Sequence, residues 1–414
     1  MLVNLRNLGI HYFCKGGNSY HFIIQDTTKW QRRSFMKRNL ILVLIFGIWI
    51  FSLGVGHCAE PIKIGGIFSL TGPGAYIGVS QKNSVLIGID DFNKKGGLSG
   101  RLVEMVLGDD ESDPTKAVMV LKKMIETEPI VGLIGPTRTD TGMAMIPILE
   151  KEGIPTYMHA GGDVIITPVR KWIFKSPYRA ADAMERIFLY LKKNNLTKIG
   201  LLFSSDGFGK DGAAIADRLA SKSGFEILAK ETFDVKDVDM TPQLTRINAK
   251  NPQAIIVWTI GPPIGITTKN ARALGIQVPL FQCHGAAEPT FFKLAGDASE
   301  GVMMPSTKIV VADQLSDRDP QKKKLVEYVK EYETRFKEVP GTMVAYGADA
   351  AFLLLEAIKK VGPDRAKIRD ALEATKGYVG LSGVYNLSPE DHAGTTAKDI
   401  VMVRAEKGKF KLVE

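Results

Sequence analysis

Three threonines, an arginine and an aspartate fall within eight residues, Gly135-Pro136-Thr137-Arg138-Thr139-Asp140-Thr141-Gly142, where an apolar run gives way to a helical one. A helix N-terminus offers unpaired N–H groups and partial positive charge. The hydroxyls of Thr137, Thr139 and Thr141 add donors, and Arg138 adds a fixed charge. That combination suits a carboxylate. Capping by Asp140 or Thr139 accounts for one such residue but not for the cluster. Thr139 is the expected ligand contact.

A second candidate is Gly207-Phe208-Gly209-Lys210-Asp211-Gly212, a G-x-G-x-x-G pattern after a strand and at the start of a helix, with Asp234 beyond the next strand. The pattern alone is weak evidence for a dinucleotide. Ser204-Ser205-Asp206 separates the strand from the first glycine, where a dinucleotide fingerprint turns at once. A Gly-rich turn that lets the loop approach a neighbouring lobe or a ligand is the simpler reading, and no cofactor is expected. No G-x-S-x-G elbow or phosphate loop is present. His159, His284 and His392 lack metal-ligand spacing. His159 and His284 each end a predicted strand, which is where open α/β sheets bind ligands.

The elements around these residues alternate. Strands are expected at 62–68, 101–107, 130–134 and 155–158, with helices at 75–95, 114–127 and 141–152. The rhythm restarts near 172–178. Helices at 180–193, 211–222, 242–249 and 264–274 then alternate with strands at 198–203, 226–232, 254–259 and 279–283. Helices at 321–337, 343–360 and 364–374 precede a C-terminal hairpin around Lys407-Gly408. Continuous apolar strands between helices indicate parallel sheet covered on both faces. Two α/β lobes in series fit the order better than one sheet.

Residues 36–59 read as a secretory signal peptide: Met36-Lys37-Arg38, an apolar run from Leu40 to Val55, then Gly56-His57-Cys58-Ala59 before Glu60. The run is short for a membrane span. Lipidation of Cys58 is the second choice, because His57 is bulky where lipoprotein signals place a small residue. Residues 1–35 are expected to be a start-site extension ahead of Met36. Of the net charge of +9, residues 1–59 supply seven basic side chains and one acid, which leaves +3 for the rest. The high pI is therefore largely a targeting effect, and no basic run with interleaved aromatics suggests nucleic acid. Cys283 is the one cysteine beyond the leader, so no internal disulfide is expected.

Several segments in this order carry a family resemblance: Ile64-Gly65-Gly66-Ile67-Phe68-Ser69-Leu70-Thr71-Gly72-Pro73, Gly132-Leu133-Ile134-Gly135-Pro136, Glu150-Lys151-Glu152-Gly153-Ile154-Pro155, Asp206-Gly207-Phe208-Gly209, and Leu294-Ala295-Gly296-Asp297-Ala298-Ser299-Glu300-Gly301. The chain resembles the type I periplasmic binding proteins of the leucine/isoleucine/valine-binding family over nearly all of its length after the leader. The resemblance implies an α/β fold of two Rossmann-like lobes with a hinge, joined by three crossovers. One lobe would combine 60–176 with 301–384, the other 177–300 with 385–414. It also implies a non-enzymatic role: capture of a small molecule for the permease and ATPase subunits of an ABC importer. Contacts implied by position are Thr139 and the following loop, Ala160-Gly161-Gly162, for the ligand carboxylate. Phe208 would close from the opposite lobe, and Tyr76 or Ile77 would contribute from the first loop. Ile260 and His284 stand at the remaining strand ends.

The departures from the family pattern concern the ligand. Amino-acid binders place a hydroxyl where Gly162 stands and an acid near His284, to pair with the ligand ammonium. A buried ammonium without a carboxylate partner is costly, though Glu288 is near enough in sequence to serve. Apolar residues replace the family's tyrosine-rich segment at Ile260-Gly261-Pro262-Pro263. A branched or aromatic amino acid is the family default, and a carboxylate lacking the amine is what the departures favour. A ligand-sensing module with a kinase partner is the alternative class, and an exported oxidoreductase is a third.

Overall fold

The computed structural model describes residues 60–413. The expected leader, Cys58 and the 1–35 extension lie outside the described residues.

Five parallel strands form a first sheet: β1 (Ile62–Phe68), β2 (Val103–Asp109), β3 (Leu133–Ile134), β4 (Thr156–Met158) and β5 (Ile173–Lys175), ordered β2-β1-β3-β4-β5. The connecting helices are α1 (Ala75–Lys94), α2 (Pro114–Thr127) and α3 (Thr139–Glu152). Alternation along β1 serves two cores. Ile62, Ile64 and Phe68 face one cluster, with Val85 and Leu354, while Ile67 faces the other, with Leu121, Met145 and Leu149. Strands covered on both sides read as unbroken apolar runs, which is why they were legible.

The second sheet repeats this plan with β6 (Lys198–Ser204), β7 (Glu226–Phe233), β8 (Ala254–Trp258), β9 (Leu280–Gln282) and β10 (Met303–Ser306), ordered β7-β6-β8-β9-β10. Its helices are α4 (Ala180–Lys193), α5 (Gly207–Ser223), α6 (Thr241–Asn248), α7 (Pro263–Ala273) and α8 (Pro289–Ala295), whereas α9 (Lys322–Phe336) lies on α1, where the Tyr328 hydroxyl donates to the Ser84 carbonyl and Arg335 pairs with Asp90 and Asp91. Ile255 and Val257 face one core, and Ile256 and Trp258 the other. An antiparallel pair, β13 (Val401–Glu406) and β14 (Lys409–Leu412), continues the sheet beyond β10. In both sheets the strand order reverses beside the first strand, between β1 and β3 and between β6 and β8. That reversal opens a crevice at the C-terminal strand ends.

Helix α10 (Thr342–Val361) ties the halves together. Its first turns, through Val344, Ala345 and Ala348, enter the second half's core, and Leu353, Leu354 and Ile358 enter the first half's. A 20-residue helix is about 30 Å long, enough to reach both. Gly347 lets it lie on α1, since a Cβ there would stand 2.1 Å from Ser84 Oγ. Helix α11 (Arg365–Glu373) and a two-stranded ribbon, β11 (Tyr378–Val379) and β12 (Val384–Tyr385), complete the first half.

Two segments lie differently from the expected division. Met303–Ser306 pairs with β9 and β13 in the second sheet, and Ile309 follows it into that core, before α9 returns the chain to α1. Tyr385, Leu387 and Ala393 belong instead to the first half's cores. The helix–strand rhythm gives the order of elements but not the sheet each strand pairs into, so the second and third crossings fall later than Gly301 and Tyr385.

The glycine pattern at 207–212 has a packing explanation. Asp206 caps α5 through the Gly209 N–H at 2.9 Å, so the helix begins at Gly207 rather than at Asp211. A Cβ on Gly209 would stand 1.8 Å from the Ser204 carbonyl oxygen, and one on Gly212 would stand 2.1 Å from the Trp258 indole. Gly207→Ala meets nothing closer than 3.7 Å. We predict that Gly212→Ala destabilises the protein by about 1–3 kcal/mol through overpacking, whereas Gly207→Ala is neutral or slightly stabilising. Denaturant unfolding checks this, and equal losses at both positions would contradict it.

Candidate functional site

The strand ends of the two sheets face each other, and side chains from both halves meet between them. From the first half come Ile77 on α1, Thr137 and Thr139 after β3, His159 and Gly161 after β4, and Pro177 after β5. From the second come Phe208, Ile260, His284 and Gly285, and α10 adds Met343 and Tyr346. The enclosed space is about 20 Å³, enough for about one water. This is a closed arrangement. A larger guest requires the halves to part or the lining side chains to move.

Of the residues expected at the site, Ile77, Thr139, Gly161, Phe208, Ile260 and His284 line this space. Tyr76, Ala160 and Gly162 do not, and each has another task. The Tyr76 hydroxyl accepts the Gly261 N–H at 2.8 Å, linking α1 to the loop after β8. Ala160 is buried in the core beneath α3. Gly162 donates its N–H to Thr139 Oγ1 at 3.0 Å.

The threonine cluster is divided among partners. Thr137 donates to Gln81 Oε1 at 2.9 Å and accepts the Ser69 N–H at 3.1 Å. Thr141 donates to the Arg138 carbonyl at 3.0 Å. Thr139, accepting from Gly162, keeps its own hydroxyl hydrogen as a donor. Arg138 is not available to a ligand as a fixed charge, contrary to the sequence reading. Its guanidinium contacts Asp140 at 3.2 Å and Asp206, across the gap, at 3.0 Å. Burial opposes the guanidinium charge, yet these two acids hold its pKa above the usual value.

Three further contacts cross the gap. Phe208 approaches Gly161 so closely that a Cβ there would lie 2.8 Å from the ring. Asp211 Oδ2 accepts the Asp163 N–H at 2.6 Å. Asp163 in turn caps α4 through the Ala180 and Ala181 N–H groups and pairs with the fully buried Lys175 at 3.3 Å.

Glu288 does not line the space. It accepts the Met343 N–H at 2.7 Å at the start of α10, and burial pushes its carboxyl up to about 8. Thus no acidic, lysine or arginine side chain faces the cavity. The polar side chains that do are Thr137, Thr139, the Tyr346 phenol and two histidines, both 2% exposed. Neither ring nitrogen of His159 finds a protein partner, nor does His284 Nδ1. Burial holds both imidazoles neutral, down to about 3, and the Lys175 charge adds to this at His284. Sequence reasoning missed Pro177, Met343 and Tyr346. The last two sit in the first two turns of a helix buried on all sides there, and its unbroken apolarity signals burial but not a site. Among the described residues no cluster of His, Cys, Asp and Glu could hold a metal ion.

Two repeated α/β halves with facing strand ends, an aromatic closing from one side and hydroxyl and imidazole groups inside define a two-lobed small-molecule binding protein. The sequence profile of the family described as periplasmic binding protein matches residues 61–409, and the chain belongs to that family. Its relatives identify the type I, leucine/isoleucine/valine-binding branch. A leucine-, isoleucine-, valine-, threonine- and alanine-binding protein of Pseudomonas aeruginosa is 24% identical over 326 residues, covering 76% of this chain and 83% of the relative. An extracellular ligand-binding receptor from Rhodopseudomonas palustris superimposes with a TM-score of 0.79 at 27% identity, covering 85% of this chain and 99% of the other. A branched-chain amino acid transporter substrate-binding protein from Streptococcus pneumoniae, solved with isoleucine, shares the fold with a TM-score of 0.74 at 24% identity, covering 85% and 99% of the two chains.

Removing one member of a buried ion pair strands the other's charge. Arg138→Met should therefore weaken the closed arrangement. X-ray scattering is expected to give a larger radius of gyration than for the unaltered protein, with ligand affinity reduced by the factor by which the closed population falls. An unchanged radius together with unchanged affinity would rule this out.

Proposed function

We propose that the protein is the extracytoplasmic substrate-binding component of an ABC importer, delivering a small amphipathic carboxylate to separate permease and ATPase chains. The ligand class is a branched-chain or aromatic amino acid or its amine-free analogue. The observation that carries the reading is the cleft itself, with an apolar body of Ile77, Pro177, Phe208, Ile260 and Met343 and polar side chains confined to Thr137, Thr139, His159, His284 and Tyr346. Relatives of matching architecture that bind branched-chain amino acids support it. Export rests on residues 36–59, whose basic, apolar and small-residue segments have the form of a signal peptide. Among the described residues no helix is long and apolar enough to cross a membrane.

In this mechanism the two halves move about the connections between them. A ligand touching both binds the closed state more tightly than the open one and so shifts the population toward it. Thr139 and the strand-end groups of the first half hold the carboxyl end, and Phe208 covers the apolar end.

Mass spectrometry of small molecules released from the purified, denatured protein should find an acid of this class. Calorimetry with the acid found should then show 1:1 binding that Phe208→Ala weakens about tenfold to a hundredfold, the loss of about 1.4–2.8 kcal/mol of aromatic contact. No bound acid and no binding of any carboxylate of this class would refute the proposal.

A further inference from the structure

We infer that His159 and His284, one imidazole from each half, form the acid-recognising end of the cleft, and that an amine-free carboxylic acid binds there together with one proton. This deepens the solute-binding reading and rests on it.

The geometry converges from two sides. His159 follows β4, and its ring stacks on Phe68 with centroids 5.7 Å apart. His284 opens the short turn after β9, where Cys283 Sγ accepts the Gly285 N–H at 3.3 Å. The His284 ring reaches across the gap, with Nε2 only 3.4 Å from where a Cβ on Gly161 would stand. Tyr178, Phe208 and Trp258 hold it, with ring centroids 5.3, 5.6 and 5.5 Å away. Three ring nitrogens in this pair have no protein partner. A buried polar atom left unpaired is costly, and a ligand able to hydrogen-bond to several of them at once offsets that cost. The Thr139 hydroxyl supplies a further donor beside them.

The charged surroundings decide which ligand fits. Lys175, from β5, is committed to Asp163 and to the Tyr178 carbonyl, and its charge disfavours a second cation on His284. Arg138, after β3, is committed to Asp140 and Asp206. From β9, the Cys283 thiol is pushed up to about 12 by burial and donates to the Thr259 carbonyl. The phenols of Tyr76, Tyr178 and Tyr346 are all raised by burial. Glu288 is engaged at the start of α10. Nothing in the lining neutralises a ligand ammonium, so a zwitterion would leave its cation unpaired.

An amine-free acid arrives as an anion at neutral pH and meets two neutral rings. Taking one proton from solvent makes the buried set neutral overall, either as imidazolium–carboxylate or as carboxylic acid hydrogen-bonded to imidazole. The proton count is the same in both. With both imidazoles unprotonated in the free protein, association strengthens as pH falls, by up to about tenfold per pH unit while the complex stays protonated. A zwitterion carries its own cation and needs no such proton.

The test is titration calorimetry of the purified protein with 3-phenylpropanoate, 4-methylpentanoate, phenylalanine and leucine. It is run at pH 6.5 in buffers of different ionisation enthalpy, and again at pH 5.5 and 7.5. The expected result is binding of at least one amine-free acid with uptake of about one proton and affinity falling about tenfold per pH unit. Its amino-acid counterpart should bind more weakly. The doubly substituted His159→Gln/His284→Gln protein, checked for folding by circular dichroism, should lose at least tenfold in affinity at pH 5.5. Glu288→Gln should leave proton uptake at pH 6.5 unchanged. Binding of the amine-free acids without proton uptake, or tight binding of leucine or phenylalanine alone, overturns the inference and leaves the solute-binding reading standing. Failure of all four to bind removes both.

Discussion

How closely the two sheets approach is set by the absence of side chains at positions 161 and 162. Phe208 would lie within 2.8 Å of a Cβ on Gly161, and Thr139 and Asp211 within 2.7 and 3.3 Å of one on Gly162. Because these glycines add nothing, Asp211 can reach the Asp163 N–H, Arg138 can reach Asp206, and His284 can extend to the opposite loop. Each of these contacts involves a group that is costly to bury alone. Closure is therefore a matter of pairing polar groups across the gap, with the aromatic and aliphatic lining following it in.

The same constraint separates two roles that the sequence merged. Arg138 and the threonines around it read as one anion cradle. In the folded chain the guanidinium fastens the halves, Thr137 and Thr141 fasten the loop to its neighbours, and Thr139 alone of the three keeps a donor free of such duty. A site with no fixed charge in its lining treats an amino acid and its amine-free analogue differently from one with an acid opposite the ammonium. The proposed ligand class thus rests on what Arg138 and Glu288 are already doing. Both lie near the cleft, and both are consumed by structure.

Much of the fold was legible because both sheets are covered on both faces. Apolar runs such as Ala254–Trp258, between helices with Pro or a capping Asp at their starts, give the element order directly. Six of the nine expected site residues line the cleft, since strand ends in this topology are where a ligand can sit. What escaped the sequence was long-range pairing. Met303–Ser306 is a strand of either half until its partners Phe281 and Met402 are known. Met343 and Tyr346 reach the site only because α10 runs from one core to the other. His159 and His284 were conspicuous as strand-end residues, but their unpaired nitrogens emerge only once the surrounding loops are in place.

The account stands on ligand-driven approach of the two halves. Met119 on α2 and Leu189 on α4 are exposed, at 60% and 47%, on opposite halves, and the lone cysteine among the described residues, Cys283, is buried. Spin labels at Met119→Cys and Leu189→Cys therefore report the separation of the halves by pulsed electron resonance. The account predicts a broad or two-component distance distribution for the ligand-stripped protein, collapsing to one narrow component when a binding acid is added. A single distribution that the ligand leaves unmoved would contradict it.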